Sequence, residues 1–226
     1  MLFVDSPGRQ RTRLRWATPL LLLVCSVSAL VLALLDAPAR EALLQRWGAV
    51  SAASADWRVL LQADRIGGLF SALGLHASAS HLIGNLIFLL VFGLPTERAL
   101  GPWRLLLLFV LGGALANFAA AVSMDRPDRV ILGASGAVSV LIGAYLALYP
   151  RARLGVVLPL GLWLQFVRMP ASVLILLWAL MQLLFTWAGP SFGAVAWWAH
   201  LSGFLIGLCA ALALRGRLQR EARLRR

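Results

Sequence analysis

The run GASGAVSVLIGAYLALYP, residues 133–150, joins an apolar body to a serine near its start and a proline at its end. From Ala134 to Tyr149 it holds 16 uncharged residues, about 24 Å of helical rise against roughly 30 Å of bilayer hydrocarbon. Pro150 stops the helix, because proline offers no amide hydrogen and clashes with the preceding turn. A spanning helix this short must begin below the outer surface. Polar backbone at that depth is tolerated only beside protein or a water-filled cavity, so water is expected to reach Gly133 to Ser135.

The surrounding chain supplies the bundle that such a helix needs. Of 226 residues 61% are apolar and 13% charged, too greasy for a soluble domain with one core. Uncharged runs near the length of a spanning helix lie at about 16–35, 82–94, 103–122, 134–149, 171–188 and 197–214. They lack the strict alternation of barrel strands, so helices are the expected spans. The predicted fold is an all-α membrane protein: one bundle of six transmembrane helices over 16–214, with a short, sunken fourth helix. A basic N-terminus (1–15) and an arginine-rich tail (215–226) flank it. The first run exceeds a signal-peptide core and is read as an uncleaved helix. The connection from Asp36 to Ser80 mixes charge with apolar clusters and is expected to dip into the outer leaflet. Leu154 to Val167, interrupted by Pro159 and Gly161, is too short for a further crossing and is read as a cytoplasmic-side interfacial segment.

All 21 basic residues are arginine, and the net charge is +12. With the N-terminus in the cytoplasm, 15 arginines fall inside and only Arg40, Arg46, Arg58, Arg65, Arg126 and Arg129 outside. Six outer carboxylates balance those six, so the whole excess lies on the cytoplasmic face, as the positive-inside rule requires. Contact with anionic lipid accounts for this charge, and no nucleic-acid partner is needed.

The nine carboxylates, Asp5, Asp36, Glu41, Asp56, Asp64, Glu97, Asp125, Asp128 and Glu221, all lie outside the proposed spans. That excludes a membrane aspartyl protease, which needs two intramembrane carboxylates, and argues against proton-coupled transport. No His-Glu-x-x-His motif is present, and His76 and His81 are five residues apart, off the shared face that metal ligands on a helix require. No metal site and no cofactor are expected. Cys25 and Cys209 read as small apolar packing residues. Inside the spans remain His81, Asn85, Asn117, Ser135, Ser139, Gln182, His200 and Ser202. A serine with a histidine base and no carboxylate is the nucleophilic arrangement this set permits.

Three motifs on three helices carry the polar residues. His81 and Asn85 stand one turn apart on one face, both able to donate toward one point, although for such a pair taken alone polar glue between helices is the commoner reading. Gly133-Ala134-Ser135-Gly136 opens the fourth helix, where unpaired backbone N–H groups and the positive helix end favour an anion. His200 shares its helix with the Gly203-x-x-x-Gly207 pair, whose smooth face can pack on the Ser135, Ser139 and Gly143 stripe and bring the histidine to the serine.

The ordered set His81-x-x-x-Asn85, Gly93-x-x-x-Glu97-x-x-x-Gly101, Gly133-Ala134-Ser135-Gly136 and Ala199-His200-x-x-Gly203-x-x-x-Gly207 closely resembles the rhomboid family of intramembrane serine proteases in its bacterial six-helix form. The resemblance runs from about His76 to Gly207. It implies a Ser135 and His200 dyad and an oxyanion hole of His81, Asn85 and the Ser135 N–H. It implies His76 near the substrate entrance, Gly133 and Gly136 in support, and Glu97, Gly203 and Gly207 as structural residues, Glu97 holding the turn between helices two and three. Transmembrane proteins would be the substrates, cleaved near the outer membrane boundary. The setting would be a bacterial inner (plasma) membrane, with both termini cytoplasmic and the site opening outward. Where some members carry a tyrosine that stacks on the histidine, Ser139 stands here, and Trp197 or Trp198 is the expected substitute. The competing expectation is a catalytically silent relative that binds or escorts transmembrane helices.

Overall fold

The computed structural model describes residues 15–51, 57–124, 129–160, 163–188 and 197–224. Most of the basic N-terminus, the outer-loop charges Asp56, Asp125, Arg126 and Asp128, the breaker Gly161, and Arg225 and Arg226 lie outside the described residues.

Apolar composition and membrane length produce a helical bundle. In chain order the helices are α1 (Ala17–Leu34), α2 (Ala37–Trp47), α3 (Trp57–Leu60), α4 (Ala63–Ser71), α5 (Ala79–Phe88), α6 (Leu94–Leu100), α7 (Pro102–Ser123), α8 (Ser135–Leu148), α9 (Ala171–Ala188) and α10 (Trp197–Leu224). A π turn over Leu89–Gly93 joins α5 to α6, so the second span is continuous from Ala79 to Leu100 and longer than the apolar run at 82–94. Among the described residues, five helices are long and apolar enough to cross a membrane: α1, the α5–α6 composite, α7, α9 and the first part of α10. The sixth expected span, α8, is a shorter apolar helix of 14 residues, about 21 Å of rise. α10 continues past Leu214 into the arginine-rich tail, which the sequence marks as a change of composition but not of conformation.

α8 is the hub. Every residue from Gly136 to Tyr145 is buried, as expected of a helix apolar on all sides. It meets α10 through glycines: Gly143 lies against the Phe204 carbonyl, Gly203 against that of Gly136 and Gly207 against that of Val140. On the other side Gly112 and Gly113 of α7 face Val140 and Ala137, where an added Cβ would lie 2.9 and 2.6 Å from side-chain carbon. Small residues allow this approach where no hydrophobic effect drives helices together. The outer faces carry large apolar side chains turned away from the bundle, such as Leu30, Leu107 and Leu180, each more than half exposed; lipid is the solvent these faces suit.

Glu97 ties the first two spans. It is 1% exposed, and its carboxylate accepts from the Ala17 and Thr18 amides, both at 2.9 Å. α1 has no side-chain cap of its own, so this borrowed carboxylate satisfies its first N–H groups and its positive end. The Glu97 carbonyl accepts from Gly101 N–H at 2.8 Å in the turn before α7. Tyr149, at the end of α8, donates its hydroxyl to the Pro95 carbonyl at 2.9 Å, fixing the same end of the bundle.

The long connection after α1 is folded. Asp36 caps α2 by accepting from Ala39 N–H at 2.8 Å. β1 (Ala49–Val50) then pairs antiparallel with β2 (Val130–Ile131), Ala49 opposite Ile131. Gly68 of α4 packs on the Gly48 carbonyl, and Asn117 of α7 donates to the Leu69 carbonyl at 2.9 Å. The connection therefore braces the strand that leads into α8.

The stretch read as an interfacial segment forms β3 (Arg153–Leu160) and β4 (Trp163–Pro170), paired antiparallel with Val156 opposite Val167. Gly155, Pro159 and several β-branched residues disfavour a helix there, and a hairpin satisfies most of its own backbone. Between its base, the α5–α6 composite, α8 and α9 lies an apolar cavity of about 460 Å³, with Phe92, Ile142, Leu154 and Trp178 among its walls.

Candidate active site

Ser135 is the first residue of α8 and is half-buried. Ala134 before it provides no side-chain cap, so the first turn keeps backbone N–H groups that the helix cannot pair. Gly133 sets the entry. Its φ is +107°, in the left-handed region where a side chain is strained, and its N–H donates to the Ala72 carbonyl at 2.9 Å.

The space of the missing side chain at Gly133 is filled by His81 and Asn85 of α5. A Cβ there would lie 2.5 Å from His81 Cε1, 2.7 Å from His81 Nε2 and 3.6 Å from Asn85 Nδ2. The imidazole and the amide thus lie against the backbone two residues before Ser135. Asn85 is buried, and its Nδ2 donates to the His81 carbonyl at 3.1 Å, one of the two hydrogens that an amide nitrogen offers. Ser78 caps α5 through the His81 N–H at 3.2 Å.

His76 stands beside His81, ring centroids 5.2 Å apart and nearly edge to face. Its Nδ1 meets the Gly74 carbonyl at 3.2 Å, and its Nε2 is buried with no partner among the described residues. Burial, and secondarily the charge of His81, push the His76 imidazole down to about 4 against the opposing pull of the Gly74 carbonyl.

His200 approaches from α10. A Cβ on Gly136, the residue after Ser135, would lie 3.5 Å from the Ala199 Cβ, so the residue after the serine and the residue before the histidine meet where α8 and α10 are in contact. Ser139 donates its hydroxyl to the Ser135 carbonyl at 2.7 Å and is spent within its own helix. Trp197 stands edge-on to His200, centroids 5.8 Å apart, and Trp178 of α9 lies at 6.5 Å. Of the two tryptophans expected against the histidine, Trp197 occupies that place; Trp198 is 44% exposed.

The structure therefore gathers Gly133, His81, Asn85 and His76 at the start of α8 and brings Gly136 and Gly203 to the α8–α10 contact. Gly207 lies farther along that contact, and Glu97 stands apart, on α6 against the first amides of α1. One neighbour carried no role in the motifs: Gln182 of α9, whose Oε1 is 3.0 Å from His200 Nδ1. The signal for it in the sequence is an uncharged amide alone in a greasy run, which names no partner.

Residues 63–217 match the Rhomboid domain family model. RHOMBOID-like protein 6, mitochondrial, of Arabidopsis thaliana is 28% identical over 163 residues, 70% of this chain and 47% of that protein. RHOMBOID-like protein 2 of the same plant is 27% identical over 176 residues, 78% of this chain and 49% of that protein. Rhomboid-related protein 1 of Caenorhabditis elegans is 39% identical over 80 residues, 34% of this chain and 21% of that protein. The chain spans about half the length of the two Arabidopsis relatives.

Proposed function

Because the chain belongs to the rhomboid family, which holds both intramembrane proteases and inactive members, we propose that it is an intramembrane serine endopeptidase working through Ser135 and His200. The observation that carries the reading is the closure of His81 and Asn85 on Gly133, two residues before Ser135. Hydrogen-bond donors gathered at an uncapped helix start suit an oxyanion.

In this mechanism His200 takes the Ser135 proton as Oγ attacks a peptide carbonyl carbon. The negative charge passes to the carbonyl oxygen, held by His81, Asn85 Nδ2 and the Ser135 N–H. As the C–N bond breaks, His200 returns the proton to the leaving amine and an acyl-enzyme remains. His200 then takes a proton from a water that attacks the ester carbonyl carbon, and returns it to Ser135 Oγ as the ester C–O bond breaks, releasing the carboxylic product. No step calls on a cofactor. His76, with its unpartnered Nε2, would meet the substrate at the entrance.

The substrates are membrane proteins whose transmembrane helices unwind locally near the outer boundary to present a bond to Ser135. The arginine distribution supports cytoplasmic termini, anionic lipid at the inner face, and a site that opens outward; the bacterial inner membrane is the setting that the resemblance to the six-helix form suggests.

The test compares wild type with Ser135→Ala and His200→Ala in detergent and in liposomes, using a fluorophosphonate probe and a model transmembrane substrate. Labelling and cleavage are expected in wild type and lost in both folded variants. A wild type that captures the substrate helix but neither labels nor cleaves would instead be a silent binder, with Ser135 a packing residue.

A further inference from the structure

α9 faces lipid along most of its surface, yet one of its three buried residues is an amide. It buries Ala171, Ile175 and Gln182, spaced so that they share a face. The Gln182 side chain is 6% exposed, and its Oε1 lies 3.0 Å from His200 Nδ1. An amide in that place needs a partner to offset its lost hydration, and an apolar residue would pack α9 without this requirement. Its own main chain is tied as well, the carbonyl accepting from the Thr186 hydroxyl at 2.8 Å.

A carboxamide oxygen can only accept, so this bond requires the hydrogen of a neutral imidazole to sit on Nδ1. Nε2 is then the nitrogen with the free lone pair. Trp197 and Trp178 flank the ring, and Phe185 stands 4.8 Å from Trp197, which limits how the imidazole can turn away.

We propose that Gln182 is the positioning residue of the histidine: its Oε1 accepts the His200 Nδ1 hydrogen and holds the imidazole as the tautomer whose Nε2 can receive the serine proton. The inference rests on the serine protease reading above. Gln182 touches no reacting atom and acts through His200. It does neutrally what the acid of a serine protease triad does with charge, in a membrane interior where a carboxylate would be costly to bury.

Two variants separate this role from helix packing. Gln182→Met keeps length and volume but removes the acceptor; Gln182→Glu keeps an acceptor oxygen. In liposomes, Gln182→Met is expected to lower kcat and the fluorophosphonate labelling rate together by roughly tenfold or more, with KM within about twofold. Gln182→Glu, which keeps an acceptor oxygen whether neutral or ionised, is expected to recover most of that loss even where burial of its carboxyl lowers the unfolding temperature. The independent readout is the 15N spectrum of histidine-labelled protein, with His200→Ala to assign the signal: an Nδ1-protonated, Nε2-free imidazole in wild type, and a mixture of tautomers in Gln182→Met. Wild-type kcat in Gln182→Met, equal losses in both variants, or an unchanged tautomer signal would overturn the proposal. Because the spectrum does not depend on turnover, an inactive wild type would overturn the protease reading while the tautomer still decides whether Gln182 holds His200.

Discussion

At Gly133 a single hydrogen atom in place of a methyl allows two helices to share one site. The φ of +107° makes alanine cost about 1 kcal/mol or more in backbone strain, and its methyl would have to displace the His81 ring 2.5 Å away. Gly133→Ala should therefore fold but label with fluorophosphonate about 10²- to 10³-fold more slowly, the usual consequence of losing one oxyanion donor. An unchanged labelling rate would remove His81 from the oxyanion hole. At His76 burial has a different consequence. Its imidazole is held down at about 4, whereas an unfolded chain binds that proton below about 6.5. Stability contributed by the neutral ring is thus present above about 6.5 and is lost as pH falls toward 4. Thermal unfolding in detergent should show wild type losing stability across that window and His76→Gln losing less; parallel curves would contradict the assignment.

Between elements, the firmest polar tie described is the carboxylate of Glu97 on the first amides of α1. Hydrogen bonds to a charged group are each worth about 1.5 to 3 kcal/mol. Glu97→Ala would orphan both N–H groups and the positive helix end, and is expected to destabilise the protein by about 3 kcal/mol or more. Glu97→Gln, which keeps one acceptor, should cost about half of that. The difference is readable as the order of unfolding temperatures in one detergent, and equal losses would show that the carboxylate charge alone matters. The same tie explains why the second span is longer than its apolar core. α6 carries Glu97 and Arg98, too polar to read as membrane, yet the π turn keeps the helix continuous and sets Gly93 against Thr18, where a Cβ would lie 3.1 Å from the Thr18 methyl.

Over the whole molecule, the legible features are those set by solvent and by period. Runs of apolar residues without alternation specify membrane helices whatever their neighbours, because lipid leaves the backbone no other partner. The short fourth helix followed from counting residues between Gly133 and Pro150, and the Gly203 and Gly207 contacts from the spacing of small residues. Four features depended on tertiary structure. The 154–167 stretch became a hairpin because Pro159 and Gly155 block a helix and β4 supplies a partner. The connection after α1 folded because β1 found β2 some eighty residues later. Glu97 reached α1 rather than acting only in its own turn. Gln182 met His200 from another helix. The sequence by itself determined the solvent, the helices and the residue types able to do chemistry, because each follows from local composition and spacing. Which amide faces which imidazole, and which carboxylate caps which helix, only the tertiary structure decided, because a hydrogen bond between distant residues depends on the packing that aligns donor with acceptor, and no local pattern encodes that alignment.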